Sequence, residues 1–354
     1  MKGLILAGGK GTRLRPLTYT SAKQLIPIAN KPILFFGIEF MREAGITEIG
    51  MIVGDTAEEI EAACGDGAQF GVKLTYIPQS APLGLAHAVK TAQPFIGTDS
   101  FCMYLGDNLL RDGIAQVVAE YQASACDCMI LLTKVPDPER FGVAELHEDG
   151  SVKQLVEKPR EPKSDLALVG VYLFNESIFT ACDSIQPSAR GELEITDAIQ
   201  WLVEHGRSVQ PSIVQGWWKD TGKKADLLDA NRLVLERQER SLQGEVDDAH
   251  KVIGQVVVEE GAQVHGSTIR GPAIIGAGAV IDNAFIGPFT SIGPLCVVRN
   301  CEVEHSILLE GAQVTDIGTR LEDSVVGRNA IVRMSHEKPR ALRLMMGDNS
   351  EVAL

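Results

Sequence analysis

The stretch KGLILAGGKGTRLRPLT, residues 2–18, decides the fold of the first part of the chain. Its apolar run LILA is typical of a buried strand, and the glycines directly after it are typical of a turn at the end of that strand. Similar apolar runs recur as far as Asp220, and segments of helical period lie between several of them. The clearest are EIGMIVG at 48–54, SFCMYLGDN at 100–108, CMILLTKV at 128–135 and LVGVYLFN at 168–175. This alternation predicts an α/β domain with a sheet of parallel strands and helices on both of its faces.

The last third of the chain carries an internal repeat of six residues. Aliphatic side chains recur at that spacing in three sets, with a slip of one residue between sets: Val252, Val258, Val264; Ile269, Ile275, Ile281; and Ile286, Ile292, Val298. One inward aliphatic residue in each short strand is typical of a parallel β-helix, whose coils bury that face by stacking on one another. Residues 223–243 contain neither Gly nor Pro and predict a connecting helix. We therefore expect a first domain over 1–240 and a β-helix domain with a C-terminal tail over 245–354.

Charge and composition exclude several functional classes. The chain has 33 Lys and Arg against 47 Asp and Glu, a formal charge of −14, which argues against a general nucleic-acid or anionic-membrane binder. No apolar run approaches the roughly 18 residues of a membrane span, and Gly8 and Gly9 interrupt the first run. We therefore expect no membrane partner and a cytoplasmic protein. The seven Cys are scattered without a C-x-x-C pair, which predicts reduced structural thiols.

The opening segment combines glycines with positive charge. Residues 1–38 contain no Asp or Glu but six basic residues: Lys2, Lys10, Arg13, Arg15, Lys23 and Lys31. A glycine-rich turn after a strand exposes backbone N–H groups that can bind phosphate oxygens, and the cations add to that attraction. Leu14 replaces the third Gly of a dinucleotide fingerprint, and no P-loop sequence is present. The segment therefore predicts a triphosphate site of another type, in which Arg13 and Lys23 stabilise the charge that develops as pyrophosphate leaves.

Two carboxylates are candidate metal ligands. Asp107 and Asn108 end the apolar run at 100–108, and open α/β sheets bind ligands at the carboxyl ends of their strands. An acidic side chain beside a triphosphate is a typical Mg²⁺ ligand. Asp220 is the second candidate, since two carboxylates from distant strands can hold one cation between two phosphate groups. From the residues alone, a turn or a helix cap stays the alternative for each Asp.

Several separated stretches together resemble sugar-1-phosphate nucleotidylyltransferases. They are GLILAGGKGTRLRPLT followed by AKQLIPIANKPIL, then ERFGVAEL (139–146), VEKPREPKS (156–164), RGELEITDAI (190–199) and WWKDTGK (217–223). The similarity covers nearly all of residues 1–335 and is greatest to the long thymidylyltransferases of that family. It implies a Rossmann-like nucleotidyltransferase domain followed by a C-terminal left-handed parallel β-helix of hexapeptide repeats.

The resemblance also implies a set of site residues. Those for the nucleotide are Leu6, Gly8, Gly9, Gly11, Thr12, Arg13, Lys23, Gln24, Gln79, Gly84 and Asp107; those for the sugar phosphate are Asn108, Gly142, Glu157, Lys158, Tyr172 and Arg190; and the metal ligands are Asp107 and Asp220. Arg13, Lys23 and Lys158 are the expected catalytic residues. The amide of Gln79 and a backbone carbonyl at Gly84 can pair with the O4 and N3–H edge of thymine or uracil. Glu157 would accept hexose hydroxyl protons, and Lys158 would neutralise the sugar phosphate.

The activity that the resemblance implies is Mg²⁺-dependent transfer of a thymidylyl group from dTTP to glucose-1-phosphate, giving dTDP-glucose and pyrophosphate. One alternative is uridylyl transfer from UTP to glucose-1-phosphate or N-acetylglucosamine-1-phosphate, with an added acetyltransferase activity in the β-helix. A second alternative is a non-catalytic regulatory subunit. Hexapeptide β-helices commonly stack about a threefold axis, so the resemblance also implies a homo-oligomer, most simply a trimer.

Overall fold

A computed structural model describes residues 1–334, and the C-terminal tail expected at 335–354 lies outside the described residues. The chain divides into two compact units, Met1–Val234 and a second that starts at Leu235. The helices are α1 (Ile33–Glu43), α2 (Ala57–Cys64), α3 (Leu85–Ile96), α4 (Ala115–Ala123), α5 (Ser177–Ser184), α6 (Ile195–Glu204) and α7 (Lys224–Leu235). Within residues 1–334, no helix has the length and apolar character needed to cross a membrane.

The first unit contains strands β1 to β13. They are β1 (Lys2–Leu6), β2 (Pro27–Ile28), β3 (Lys31–Pro32), β4 (Glu48–Val53), β5 (Lys73–Pro78), β6 (Phe101–Leu105), β7 (Asn108–Leu110), β8 (Cys128–Lys134), β9 (Gly142–Leu146), β10 (Val152–Glu157), β11 (Leu166–Phe174), β12 (Val209–Ile213) and β13 (Trp218–Asp220). Nine of them form one sheet, in the order β10-β9-β11-β6-β1-β4-β5, with β8 also paired to β11 and β12 paired to β8. This is the Rossmann-like nucleotidyltransferase domain that the sequence predicts.

The sheet is mixed, so the expectation of parallel strands throughout is wrong. Strands β4, β1 and β6 are parallel, as are β4 and β5, but β11 runs antiparallel to both β6 and β8. The direction of β11 follows from the connection between β8 and β11. Between β8 and β11 the chain forms only the antiparallel pair β9 and β10, without the crossover helix that a parallel return usually requires.

Apolar side chains cover both faces of the sheet, as the sequence predicts. In β1, Ile5 faces a core shared with α1, α2 and α4, whereas Leu4 and Leu6 face a second core shared with α3, α5 and α6. This alternation follows from the two-residue period of a strand, and burial on both faces explains why β1 is apolar without interruption. All seven cysteines lie within the described residues, and each is buried and outside any disulfide.

The second unit is a left-handed parallel β-helix. Its strands are β14 (Ser241–Leu242), β15 (Glu245–Val246), β16 (Val252–Ile253), β17 (Val256–Val258), β18 (Gln263–His265), β19 (Thr268–Arg270), β20 (Ala273–Ile275), β21 (Val280–Asp282), β22 (Phe285–Ile286), β23 (Thr290–Ile292), β24 (Val297–Arg299), β25 (Glu302–Val303), β26 (Ile307–Leu308), β27 (Gln313–Thr315), β28 (Val325–Val326) and β29 (Ile331–Arg333). They form three parallel sheets of six, six and four strands. Val258 pairs with Ile275 and Ile275 with Ile292, so each of these coils takes 17 residues, one fewer than three hexapeptides. The next two take 16 and 18 residues, since Ile292 pairs with Leu308 and Leu308 with Val326. These differences in coil length explain the slips in the repeat.

The connecting helix is shorter than predicted. Helix α7 ends at Leu235 instead of continuing to residue 243. By Ser241 the chain already pairs with Val257 in the first coil, and the Arg240 guanidinium donates hydrogen bonds to the carbonyls of Val252 and Gly254, at 2.9 and 3.0 Å. These contacts within the β-helix outweigh the helical propensity of residues 236–243, because tertiary pairing routinely overrides intrinsic preference.

Candidate active site

A cleft of about 830 Å³ opens at the carboxyl ends of the parallel strands β1, β4 and β6. Open α/β sheets bind their ligands at this edge. The predicted residues that line the cleft are Leu6, Gly8, Gly9, Arg13, Lys23, Gln24, Gln79, Gly84, Asp107, Asn108, Gly142, Glu157, Lys158, Tyr172, Arg190 and Asp220. Two others, Gly11 and Thr12, are absent from its lining. The structure therefore brings together residues that are far apart in sequence, with those two exceptions.

The glycines of the first loop make room for Lys23. A Cβ atom at Gly9 would lie 2.9 Å from Lys23 Cε, and one at Gly11 would lie 2.8 Å from Lys23 Cβ. Gly11 also has a φ of +60°, which other residues rarely adopt. Gly11 thus supports the lysine from behind instead of lining the cleft. Thr12 begins the short 3-10 turn that carries Arg13.

The two candidate metal ligands meet through a short antiparallel pair of strands. Strand β13 pairs with β7 so that Asp220 stands opposite Asn108, directly after Asp107. Thr221 fixes this arrangement, because its backbone N–H and its hydroxyl both donate to the Asp107 carbonyl oxygen, at 3.1 and 2.7 Å. Burial, together with the nearby Asp107 carboxylate, raises the pKa of Asp220 to about 6.

Positive charge and amide groups surround the same carboxylates. Burial acts to raise the pKa of Asp107, but the Lys23 ammonium, which forms an ion pair and a hydrogen bond with it, holds that pKa below its usual value. Asn108 Nδ2 donates to Asp107 Oδ1 at 3.3 Å, and Trp218 Nε1 donates to Asn108 Oδ1 at 2.5 Å. The guanidinium of Arg13 lies against the backbone at Gly222, where a Cβ atom would be 2.7 Å from Nη2.

These residues suit a Mg²⁺ ion better than a metal held by protein alone. Among residues 1–334 there is no cluster of three or more His, Cys, Asp or Glu side chains arranged to hold a metal. Mg²⁺ is usually bound by one or two carboxylates together with substrate phosphates and water. Asp107 and Asp220 supply those two carboxylates at the wall of a cleft large enough for a nucleotide.

The nucleotide side of the cleft has an unsatisfied buried acceptor. Gln24 is 1% exposed, and its Oε1 atom has no hydrogen-bond partner in the described structure. Buried acceptors are normally satisfied, so this one calls for a donor from a ligand. Nearby, Gly84 has a φ of +106°, and a Cβ atom there would overlap the Leu193 carbonyl oxygen. Ala86 N donates to that oxygen at 3.0 Å, which holds the loop against the segment 190–194.

The sugar side of the cleft is built around Glu157. Its Oε2 accepts a hydrogen bond from Thr196 Oγ1 at 2.7 Å, and its Oε1 lies 3.2 Å from Lys158 Nζ and 3.3 Å from Arg190 Nη1. A Cβ atom at Gly142 would lie 2.8 Å from the same Thr196 hydroxyl and 3.1 Å from Glu157 Oε2, so the glycine admits this contact. The carboxylate is therefore oriented before any ligand binds.

Tyr172 and Glu194 are the buried titratable groups of this side. Burial raises the pKa of both, and for Glu194 the Ser188 hydroxyl partly offsets that rise by donating a hydrogen bond at 2.8 Å. Glu194 also lies 3.5 Å from Arg190 Nη1. The guanidinium of Arg190 thus contacts three carboxylates of the cleft wall, those of Glu157, Glu192 and Glu194, with Glu192 Oε2 only 2.9 Å from Nη2.

Several lining residues were not among the predicted ones. The charged and aromatic ones are Arg140, Phe141, Glu192, Glu194, Trp218 and Lys223, and the others are Ile52, Pro82, Leu85, Ala88, Leu105, Leu168, Gly170 and Ile195. Each of the charged and aromatic residues lies inside one of the stretches that carry the resemblance, within four residues of one that was predicted. The motifs therefore marked these parts of the chain, but the sequence did not show which of their residues face the cleft.

The cleft of this fold presents a carboxylate pair flanked by the cations Arg13 and Lys23. Residues 2–237 match the model of the nucleotidyl transferase family, and the chain belongs to that family. It is 54% identical to the glucose-1-phosphate thymidylyltransferases of Streptomyces griseus and Streptomyces antibioticus, with 100% of this chain and 99% of each relative covered. A nucleotidyltransferase of low-salt glycan biosynthesis from Haloferax volcanii is 45% identical over the full length of both chains.

Solved structures agree with this assignment. A Bacillus anthracis protein described as a glucose-1-phosphate thymidylyltransferase, in complex with sucrose, has a TM-score of 0.62 and 38% identity and covers 66% of this chain and 94% of its own. A UDP-glucose pyrophosphorylase with bound UDP-glucose has a TM-score of 0.59 and 26% identity, covering 67% and 99%. The protein is thus an enzyme of sugar-1-phosphate nucleotidyl transfer.

Proposed function

We propose that this enzyme transfers a thymidylyl group from dTTP to glucose-1-phosphate with the help of Mg²⁺, and releases dTDP-glucose and pyrophosphate. The observation that carries the proposal is the Asp107 and Asp220 pair, which lines the same cleft as Arg13, Lys23, Glu157 and Lys158. The 54% identity to two thymidylyltransferases over the full chain supports the choice of dTTP and glucose.

In this proposal an oxygen of the sugar phosphate attacks the α-phosphorus of dTTP. The bond from that phosphorus to the oxygen bridging to the β-phosphate breaks, and the electron pair leaves with pyrophosphate. The attacking phosphate monoester is already anionic at neutral pH, so no protein nucleophile is required. Lys158 holds the sugar phosphate in line for attack, while Arg13 and Lys23 bind the triphosphate and stabilise the charge on the leaving group.

Asp107 and Asp220 would hold the Mg²⁺ ion, which supplies charge neutralisation between the two phosphate groups. When the triphosphate binds, Lys23 can exchange its contact with Asp107 for phosphate oxygens, since both partners are anions within its reach. Glu157 accepts hydrogen bonds from hexose hydroxyls, because its carboxylate is already oriented by Thr196. Catalysis in this scheme consists of positioning and charge compensation.

The same geometry also accommodates UTP, because thymine and uracil differ by one methyl group and a pocket distinguishes one methyl by only about 1–3 kcal/mol. The structural similarity to a UDP-glucose pyrophosphorylase is the observation in favour of this second candidate. The assay is pyrophosphate release with Mg²⁺, crossing dTTP and UTP with glucose-1-phosphate and N-acetylglucosamine-1-phosphate. Preference for dTTP with glucose-1-phosphate supports the proposal, and preference for UTP or for the amino sugar replaces it. The Asp107→Ala variant provides the blank.

A further inference from the structure

The contact between Gln79 and His87 is a feature of the cleft that the proposed mechanism does not use. Gln79 follows β5, and its backbone N–H donates to the Val53 carbonyl at 2.9 Å, which ties it to β4. His87 lies in the first turn of α3, half-buried, and is absent from the lining of the cleft. Gln79 Nε2 lies 2.9 Å from His87 Nδ1. The histidine therefore contacts the side chain that faces the ligand, and not the ligand itself.

A second contact fixes which atom of the Gln79 amide faces which way. Gln79 Nε2 also donates a hydrogen bond to the Gly84 carbonyl oxygen, at 3.4 Å. A carbonyl oxygen can only accept, so the amide group that faces Gly84 and His87 is the NH₂ group. Its two hydrogens go to these two acceptors. It follows that Nδ1 of His87 accepts a hydrogen bond, and that the ring proton is on Nε2.

The Gln79 Oε1 atom is therefore free to serve the ligand. A Cβ atom at Gly8 would lie 3.6 Å from Oε1, and Gly8 lines the cleft, so the oxygen faces the nucleotide wall. Without His87, only the 3.4 Å hydrogen bond to the Gly84 carbonyl opposes a half-turn of the amide that would present Nε2 to the cleft instead. The two orientations differ in recognition, because one offers an acceptor and the other a donor.

We propose that His87 is a positioning residue for base selection, which holds the Gln79 amide with its oxygen toward the cleft and thereby favours a base with N–H at position 3 over a base with an unprotonated nitrogen there. This inference rests on the proposed function, in which Gln79 contacts a pyrimidine. Thymine and uracil carry N3–H, whereas N3 of cytosine is an acceptor and would face the acceptor Oε1. An unpaired buried acceptor is costly, so the distinction is large compared with that of a methyl group.

The test compares dTTP with dCTP, two pyrimidine nucleotides of similar size. His87→Leu keeps a branched side chain but removes the acceptor, and His87→Asn can place an oxygen near the position of Nδ1. We measure kcat/KM for both nucleotides by pyrophosphate release at saturating glucose-1-phosphate in the full chain. Thr91→Val is the matched control, because the Thr91 hydroxyl donates to the His87 backbone carbonyl at 2.9 Å and so bonds the backbone of His87 instead of its ring.

We expect His87→Leu to lower the ratio of dTTP to dCTP specificity at least tenfold, through KM for dTTP, with kcat at saturating dTTP within threefold of wild type. His87→Asn and Thr91→Val should keep the ratio within threefold. A ratio unchanged in His87→Leu, or a loss in His87→Asn as large as in His87→Leu, overturns the inference while leaving the proposed function intact. If the wild-type enzyme uses neither dTTP nor UTP, both fall together.

A measurement on the wild-type protein keeps the inference falsifiable even if His87→Leu does not fold. Nitrogen NMR of the histidine rings, assigned with the His87→Asn spectrum, distinguishes a protonated from an unprotonated Nδ1. The hydrogen bonds to Gly84 and His87 require the Nε2–H tautomer at His87. Observation of the Nδ1–H tautomer in the neutral ring would overturn the inference, because the histidine could then no longer accept from Gln79.

Discussion

Replacing Thr221 by Val tests whether its hydrogen bond to the Asp107 carbonyl oxygen holds the carboxylates of Asp107 and Asp220 in place. Thr221 is 1% exposed, and its hydroxyl donates to the Asp107 carbonyl oxygen at 2.7 Å. Valine has nearly the same shape, so the change removes one hydrogen bond without opening a cavity. The Asp107 carbonyl keeps its second donor, the Thr221 backbone N–H at 3.1 Å.

The expected size of the effect follows from the hydrogen bond that Thr221→Val keeps, from the backbone N–H of residue 221 to the Asp107 carbonyl. The free energy of unfolding should fall by about 1 kcal/mol, the usual net value of one such bond, which lowers Tm by about 2–4 °C in a unit of this size. The effect on the rate of catalysis should be larger than the effect on stability. A displacement of about 1 Å can cost about 100-fold in rate. Because the backbone bond limits the movement of Asp107, we expect kcat to fall about tenfold, with a higher Mg²⁺ concentration needed for half-maximal rate.

The assay is pyrophosphate release at saturating dTTP and glucose-1-phosphate, with Mg²⁺ varied, alongside thermal unfolding. Thr221→Ser restores the hydroxyl and should recover most of kcat. Wild-type kcat in Thr221→Val, despite a lower Tm, would show that the bond serves stability alone. Equal loss of kcat in Thr221→Ser and Thr221→Val would show that the hydroxyl is not sufficient to position Asp107. Either result refutes the reasoning.

Three further predictions concern other parts of the chain. Lys158→Gln should raise KM for the sugar phosphate about 10- to 100-fold, as expected for a charged hydrogen bond of about 1.5–3 kcal/mol, with KM for dTTP nearly unchanged; an equal rise in both would contradict the assignment. Burial raises the pKa of Glu194 in the folded state, so its ionisation costs stability once pH rises past the unfolded value of about 4.3. Glu194→Gln should therefore raise Tm at pH 8 and lose that gain as pH falls toward 4, and a pH-independent difference would count against this account. Ile275→Ala should lower the free energy of unfolding by about 2–5 kcal/mol, since Ile275 is fully buried between coils, whereas Ile253→Ala, at a 52% exposed site, should change it by less than about 0.5 kcal/mol in urea titrations.

Local sequence patterns predicted the elements of the fold better than their directions. The uninterrupted apolar run at β1 required burial on both faces, and the structure shows it. The antiparallel direction of β11 was missed, because direction depends on the connection and on which neighbours accept the strand, and the strand's own residues carry neither. The end of α7 was missed for a similar reason, since Ser241 is recruited by a strand that follows it in the chain.

For the site, local motifs likewise predicted the residues but not the contacts that position them. Asp107 and Asp220 were paired through chemistry and resemblance, and the structure supplies the cause, the register of β13 against β7. Gly11 was chosen as a ligand-binding glycine, but its place behind Lys23 depends on a contact between side chain and backbone that the motif does not display. The contact of His87 with Gln79 joins a helix to the residue after a strand, and only the fold brings these two side chains together.

The second unit is a stack of coils, and the coils that join Val258, Ile275 and Ile292 take 17 residues each. Each coil pairs only with the coil before it and the coil after it, so the register of Val258, Ile275 and Ile292 repeats without reference to distant residues. Removing residues 269–285 would delete one whole coil and bring Ile286 to the position of Ile269, with aliphatic residues still stacked on Val252. The β-helix can therefore gain or lose whole coils and still keep its aliphatic residues buried.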